Sequence, residues 1–140
     1  METWRCVWRH GVRLVLSIEA LQALRQALLA DDPRLIQGGT TRPRPLAGFG
    51  DFPAEGACAL SFGPWQAEGI LSVAQVEGRF ARLCDQVDRF TGEPDSARSF
   101  VTWLDDTPRD VMRRELLAEV LRELALRRRV DGELSRPLAG

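Results

Sequence analysis

Residues 72–92 constrain the fold more than any other stretch, because they carry the full set of signals for an amphipathic helix. Ser72 and Gln75 have the spacing of a capping box, and Gly92 suits the left-handed residue that ends a helix. Apolar side chains follow the cap at alternating steps of three and four residues: Val73, Val76, Phe80, Leu83, Val87 and Phe90. The resulting apolar face either packs on the core of this chain or forms a dimer seam, since a seven-residue repeat also builds coiled coils.

Further helix signals follow along the C-terminal half. Pro94 opens a predicted shorter helix that ends at Asp105-Asp106, and Thr107-Pro108 supplies an N-cap and a first helical residue for the last helix. Beyond the end of that helix no periodicity remains. We therefore expect a single globular domain over residues 1–129 and a flexible tail over residues 130–140.

The N-terminal segment has a different pattern. Apolar and polar residues alternate over residues 3–16 on both sides of His10-Gly11, which predicts a β-hairpin with its turn at the glycine. One longer strand with a bulge at Gly11 explains the same alternation. Ser17 then acts as the N-cap of a predicted helix that ends near Ala30.

A long connection and a short strand are expected in the middle of the chain. Residues 37–56 contain eight glycines and prolines, and connections of this length are often functional. Residues 57–62 are apolar without a helical period, which predicts a buried strand. Together these signals predict an α+β fold in which the hairpin and this strand form a small antiparallel or mixed sheet. About four helices pack against the sheet, and the C-terminal half is helical.

Composition excludes several classes of protein. The 140 residues are 44% hydrophobic and 28% charged, which is typical of a globular protein rather than a disordered one. All 19 basic residues are arginines, and 20 acidic residues bring the net charge to -1, so a general coating of nucleic acid is excluded. The charge is uneven, because residues 1–50 and 111–140 are net basic and residues 51–110 are net acidic.

Location and redox state follow from what the sequence lacks. No apolar run approaches the ~18 residues of a transmembrane helix, and the start does not have the pattern of a secretory signal. We expect a cytoplasmic protein that does not bind membranes. Three widely spaced cysteines, Cys6, Cys58 and Cys84, do not suggest a disulfide framework or a zinc site and are interpreted as buried thiols.

Few residues suggest catalysis. His10 is the single histidine, and a triad with one of the cysteines as nucleophile would need tertiary contacts that spacing cannot reveal. Paired carboxylates could hold a divalent metal or share a proton, but Asp31-Asp32 and Asp105-Asp106 lie at predicted helix ends. Asp85 and Asp88 fall on the polar side of their helix. We expect no catalytic residues, no metal site and no cofactor.

Three features suggest binding. Residues 38–44 (GGTTRPR) combine flexible backbone, hydroxyls and the guanidinium groups of Arg42 and Arg44, which are the components of an anion nest. Trp65 lies in a predicted loop between Pro64 and Gly69, where it would be an exposed anchor for a partner. Arg127, Arg128 and Arg129 form a basic run at the end of the last helix.

The leading hypothesis is a non-catalytic protein-interaction or accessory subunit. Its partner would be another protein, or a second copy bound through the helix of residues 73–90. The alternative is a nucleic-acid-binding accessory protein that uses the arginine-rich loop and the C-terminal helix, with bases stacked on Trp65. A small hydrolase or transferase that uses aspartate or cysteine chemistry is the third hypothesis.

Overall fold

The computed structural model describes residues 1–134 and confirms the α+β class. The helices are α1 (Thr3–Val7, continued by a π-helical segment Trp8–Val12 and by Arg13–Val15), α2 (Ile18–Ala30), α3 (Ala59–Ala67), α4 (Val73–Thr91), α5 (Ser96–Asp106) and α6 (Arg109–Leu134). The strands are β1 (Leu35–Ile36), β2 (Thr41–Arg42) and β3 (Gly56–Cys58). The helical C-terminal half is also confirmed, because α4, α5 and α6 follow one another from Val73 onward.

The sheet is mixed, with β3 at its centre. β3 runs parallel to β1 and antiparallel to β2, so that Ala57 faces both Leu35 and Thr41. The predicted strand near 57–62 is correct only in its first residues, because the chain coils into α3 from Ala59. The expected 37–56 connection contains β2, and its longest irregular part is residues 43–55.

The Gly63-Pro64 pair, which directly follows the predicted strand of residues 57–62, lies inside α3. Gly63 lies where α3 packs on α2, and a Cβ atom there would stand 2.5 Å from the backbone oxygen of Ala20. The glycine is therefore needed for the close approach of two helices. Glycine often marks the end of a helix or strand, but Gly63 lies here in a contact between two helices.

The predicted N-terminal hairpin is wrong, because residues 3–15 form helix α1. Its arginines recur every fourth residue and therefore lie on one face of the helix, which points at α6. Gly11 is part of the π-helical segment rather than a turn. A Cβ atom on Gly11 would stand 2.9 Å from side-chain carbons of both Val87 and Thr91, so the glycine lets α1 approach α4 closely.

Helix α4 agrees with its prediction at both ends. The capping box of Ser72 and Gln75 is formed, and Gly92 ends the helix with a φ of 73°. Most of its apolar stripe is buried in the core of this chain: Val73, Val76, Leu83 and Val87. A dimer seam along this stripe is therefore not available, because the side chains that would form it already pack inside the molecule.

Helix α6 continues to Leu134, five residues beyond the predicted end of the domain at residue 129. Residues 135–140 of the predicted tail lie outside the described residues. Near the start of α6, the Arg109 guanidinium donates to the backbone oxygens of Asp32 and Leu35, at 3.0 and 2.8 Å. Arg113 donates to the oxygen of Leu28 at 3.0 Å. These bonds satisfy carbonyls at the end of α2 and fix the start of α6 beside the sheet.

Candidate partner-binding groove

An open groove of about 630 Å³ lies between α3 and two loop segments, residues 51–54 before β3 and residues 69–72 before α4. We call it the Trp65 groove. Its lining is mainly apolar and includes Phe52, Pro53, Ala54, Trp65 and Leu71. Its volume falls within the ~300–1,000 Å³ of typical ligand pockets. The groove is therefore the first candidate for a binding site.

The walls of the Trp65 groove are held by backbone hydrogen bonds. Ala54 N donates to Leu71 O at 2.8 Å, and Val73 N donates to Phe52 O at 2.7 Å. Asp51 Oδ1 accepts from the backbone N–H of Ala74 at 2.9 Å and so joins the wall to the start of α4. The pKa of Asp51 is lowered by a hydrogen bond from the Ser72 side chain and by those from the backbone N–H groups of Ala74 and Phe52. The groove is thus formed before any partner arrives.

Trp65 forms the floor of the groove, and its prediction as an exposed loop residue is wrong. It belongs to α3 and is only 8% exposed. The ring of Phe62 meets it edge-on, with centroids 5.7 Å apart and an interplanar angle of 84°. The guanidinium of Arg34 lies 5.7 Å from its ring centroid. With so little of its surface exposed, Trp65 is poorly placed to stack on a nucleic-acid base.

The rim of the groove is more exposed than its floor. Leu71 belongs to the lining and is 70% exposed. Phe49 is 76% exposed and stands two residues before the lining residue Asp51, within about 7 Å along the backbone. Leu46 accepts a turn hydrogen bond from the Phe49 N–H and is also exposed. The loop that sequence analysis suspected therefore places large apolar side chains in solvent beside an apolar groove.

Three arginines lie on or near the sheet, and one of them contacts a groove residue. Arg42 and Arg44 are exposed, and Arg42 Nη2 donates to the backbone oxygen of Pro33 at 3.2 Å. Arg34 extends from the same end of the sheet to Gln66, a groove residue, at 3.4 Å. Its charge is paired with Asp32, whose pKa it lowers through the 2.8 Å contact. Arg42 and Arg44 are thus accessible, and the exposed Glu55 lies close to them, since its backbone N–H donates to Arg42 O at 2.7 Å.

The predicted anion nest is occupied by carboxylates of the chain itself. Gly38 N donates to Asp105 Oδ1 at 2.8 Å, and the Thr41 hydroxyl donates to Glu77 Oε1 at 2.6 Å. Thr41 is buried. Two of the groups that would bind a phosphate, Gly38 N and the Thr41 hydroxyl, are therefore already satisfied, whereas the side chains of Arg42 and Arg44 are exposed.

The structure does not bring the C-terminal arginines to the groove. Arg127 donates to Glu123 Oε1 at 2.9 Å and to the backbone oxygen of Arg13 at 2.6 Å, so it is a structural residue. Arg128 and Arg129 are exposed on α6. Arg109 is anchored at the sheet. At the ~1.5 Å rise per residue of a helix, Arg127 lies about 27 Å further along α6. The two predicted basic regions therefore do not form one surface.

A ladder of charged side chains joins α1 to α6, and it was not predicted from the sequence. Glu119 is 2% exposed and accepts from Arg5 at 2.7 Å and from Arg9 at 2.8 Å. Glu123 accepts from Arg13 at 3.5 Å in the next turn. Burial raises the pKa of Glu119, but the hydrogen bonds from the two arginines outweigh it and the net shift is downward. The sequence signal for this ladder is the matching four-residue spacing of the arginines in α1 and the glutamates in α6.

The candidate catalytic groups are His10 and the three cysteines. His10 and Cys6 line a cleft between α1 and the start of α5, so the structure brings these two side chains to one surface. Burial raises the pKa of the Cys58 thiol, and it raises that of Cys84 to about 12. Neither is therefore a thiolate at neutral pH, and the thiolate is the reactive form.

The suspected carboxylates act as caps and ion pairs. Asp31 pairs with Arg109 at 2.7 Å, and this hydrogen bond lowers its pKa. Asp88 accepts from the backbone N–H of Ala97 at 2.9 Å near the start of α5. Within residues 1–134, no three side chains of His, Cys, Asp or Glu meet in an arrangement that could hold a metal ion.

Comparisons with known proteins add no relatives. No protein family, curated protein or solved structure matches this chain. None of the helices described for residues 1–134 is both long and apolar enough to cross a membrane.

Proposed function

We propose that this chain is a non-catalytic accessory protein that binds a protein partner at the Trp65 groove. The observation that supports this proposal best is the exposure of Phe49 and Leu71 beside an apolar groove that is already formed. Large exposed apolar side chains next to a concave surface are typical of protein-binding sites.

The size of the apolar surface agrees with this role. Phe49 alone exposes about 150 Å² of its side chain, given ~200 Å² for a free aromatic residue. With Leu46, Leu71 and the groove lining, the apolar patch reaches roughly 400 Å², which is within the ~300–600 Å² of functional patches on monomers. The patch is large enough to receive one or two large side chains of a partner, such as a leucine or an aromatic residue.

The charge around the groove indicates what should flank that side chain. Arg42 and Arg44 are exposed in the segment that leads to the groove residue Asp51, and no acidic residue lies between them and Asp51 in the sequence. A partner segment with an acidic residue close to its apolar anchor would pair with these arginines. Such pairing contributes more to orientation and association rate than to affinity.

A selection experiment tests the proposal. Peptides selected from a random phage-displayed library on the full-length protein should combine a large apolar residue with a nearby acidic one. The substitution Leu71→Asp should weaken the selected peptides at least tenfold in fluorescence anisotropy, because it places a charge in the apolar wall. Leu121→Asp, at an exposed leucine on α6, is the matched control and should leave affinity unchanged. Peptides that bind Leu71→Asp as well as the unchanged protein would refute the groove as the site.

The nucleic-acid alternative has less support. Trp65 is only 8% exposed, and two groups of the predicted nest are already bonded to Asp105 and Glu77. The C-terminal arginines do not line the groove. We expect no binding of single-stranded RNA at low salt. Salt-sensitive binding that is lost in an Arg128→Glu, Arg129→Glu double variant would favour nucleic acid over a protein partner.

A further inference from the structure

We propose that the cleft between α1 and α5 binds a basic peptide segment of a partner, with an arginine side chain seated against the indole of Trp103. This α1–α5 cleft has two adjacent parts of about 590 and 410 Å³, which share Thr3, Asp95 and Ser99 as lining residues. Among the described residues, none that lines it also lines the Trp65 groove. The cleft is therefore a second surface, and the inference does not depend on the function proposed for the groove.

The larger part of the cleft is lined by an aromatic stack that already receives one guanidinium group. The indoles of Trp4 and Trp103 are stacked, with centroids 3.8 Å apart and an interplanar angle of 9°. The guanidinium of Arg5 lies 4.6 Å from the Trp4 centroid, and Glu2 Oε2 accepts from Trp4 Nε1 at 2.6 Å. Trp103 is partly exposed on the side away from Trp4. Because the face of an indole attracts cations, Trp103 offers a second guanidinium the contact that Arg5 makes with Trp4.

Asp95 lies where the two parts of the cleft meet, and the helix that it precedes does not use its carboxylate. It is the N-cap residue of α5, a position where an aspartate usually accepts from the first backbone N–H groups of the helix. Here its side chain makes no capping hydrogen bond. Asp88 of α4 accepts from Ala97 N instead, at 2.9 Å. The exposed carboxylate of Asp95 is thus left for a ligand in the cleft.

The charges that line the cleft favour a cationic ligand. Besides Glu2, three exposed carboxylates line it: Asp106 in the larger part, Glu93 in the smaller part and Asp95 in both. Arg98 is the only arginine among the described residues that line it. A segment with two basic residues can therefore place one cation in each part, and such complementarity selects the partner by its charge.

The other polar groups of the cleft fit a peptide rather than a metal ion. Within residues 1–134, no three side chains of His, Cys, Asp or Glu meet in an arrangement that could hold a metal ion. The hydroxyls of Thr3, Ser99 and Thr102 are exposed along the cleft. A hydroxyl both donates and accepts hydrogen bonds, so these side chains can bind the N–H and C=O groups of a peptide backbone.

Nuclear magnetic resonance titrations of the full-length, isotope-labelled protein test the inference. The probe is a hexapeptide of alternating arginine and serine, and its counterpart carries citrulline, which keeps the shape of arginine without the charge. The arginine peptide should shift the indole N–H signal of Trp103, and the citrulline peptide should leave it unchanged. N-acetylarginine amide, which supplies one cation, should bind about tenfold more weakly than the arginine peptide.

Three variants test the roles of the charges. Asp95→Asn should weaken the arginine peptide roughly threefold, as expected for the loss of an exposed ion pair. Arg98→Ala should strengthen it, because this substitution removes a like charge from the cleft. Asp85→Asn is the matched control, since Asp85 is exposed on α4 outside the cleft and its substitution should leave affinity unchanged. Circular dichroism of each variant verifies that the fold is retained.

Several results would overturn the inference. Equal binding of the arginine and citrulline peptides, or a Trp103 signal that neither peptide moves, would show that the cleft does not recognise cations. Weaker binding in Arg98→Ala than in the unchanged protein would point to an anionic ligand instead. Equal affinity for the hexapeptide and N-acetylarginine amide would exclude a peptide as the occupant. The effect of Leu71→Asp on peptides bound at the Trp65 groove is measured separately, so failure of one proposal leaves the other standing.

Discussion

The substitution Glu119→Ala tests whether the charged ladder between α1 and α6 determines stability. The Glu119 carboxylate accepts three charged hydrogen bonds, one from Arg5 and two from Arg9, with lengths of 2.7, 3.2 and 2.8 Å. A hydrogen bond to a charged group contributes ~1.5–3 kcal/mol. The arginine side chains keep 19% and 27% of their surface exposed, so water recovers part of each loss. We take ~1 kcal/mol for each bond and expect a loss of about 3 kcal/mol.

Urea unfolding and thermal unfolding at neutral pH, both followed by circular dichroism, measure this loss. At ~3 °C per kcal/mol for a chain of this size, the melting temperature should fall by about 10 °C. Glu115→Gln is the matched control, because Glu115 is 35% exposed and makes one bond to Arg5, at 3.0 Å. We expect the control to cost less than ~1 kcal/mol. Equal losses in the two variants, or a loss below ~1 kcal/mol for Glu119→Ala, would refute the ladder as a stabilising element.

The direction of the pH dependence follows from the pKa shift. The folded-state pKa of Glu119 is lowered, so its contribution is fully present above the unfolded pKa of ~4.3 and is lost as pH falls through the folded value. The stability difference between the unchanged protein and Glu119→Gln should therefore be largest at neutral pH and shrink below pH ~4. A difference that grows on acidification would contradict this assignment.

Two other substitutions and one labelling experiment test the packing. Gly63→Ala should destabilise by at least ~1–3 kcal/mol, because the added Cβ would meet the backbone oxygen of Ala20 at 2.5 Å. Gly78→Ala in the interior of α4, where the nearest atom is Arg82 Nη1 at 3.6 Å, should instead stabilise by ~0.5–1 kcal/mol in the same melts. Cys84, with a pKa of about 12, should resist iodoacetamide in the folded protein and react after denaturation, as read by mass spectrometry of the labelled peptide. Rapid labelling of Cys84 in the native state would show that its surroundings are more open than described.

The parts of the fold that could be predicted are those whose signals are local. The ends of α4 follow from Ser72, Gln75 and Gly92, which act within one turn of the helix, and its buried stripe follows from spacing alone. Pro94 and Thr107-Pro108 predict the starts of α5 and α6 to within two residues, since these helices begin at Ser96 and Arg109. These elements form in the same way whatever the rest of the chain packs against them.

The N-terminal helix could not be predicted in this way because two periods coexist in it. Alternating apolar residues on both sides of Gly11 indicate a strand, while the arginines at every fourth residue indicate a helix. Contact with Glu119 and Glu123 on α6, more than 100 residues away, decides between them. The burial of Trp65 also depends on a non-local contact, since Arg34, which precedes β1, lies over its ring. Both the loop and the tryptophan are predicted as binding candidates from the sequence; the loop side chain Phe49 is exposed, whereas Trp65 is buried.

The location of the arginines changes what an arginine-rich composition implies for function. Six of the arginines lie in structural contacts, where they pair with the ladder glutamates or satisfy helix carbonyls: Arg5, Arg9, Arg13, Arg109, Arg113 and Arg127. Such residues cannot also release counterions from a nucleic acid without giving up their contacts, so they do not count toward a polyanion-binding surface. Arg42 and Arg44 are exposed beside apolar side chains rather than within a basic field. Because apolar burial supplies most of the affinity at protein interfaces and peripheral charges mainly steer, the groove with its exposed Phe49 and Leu71 explains the surface better than the arginine count does.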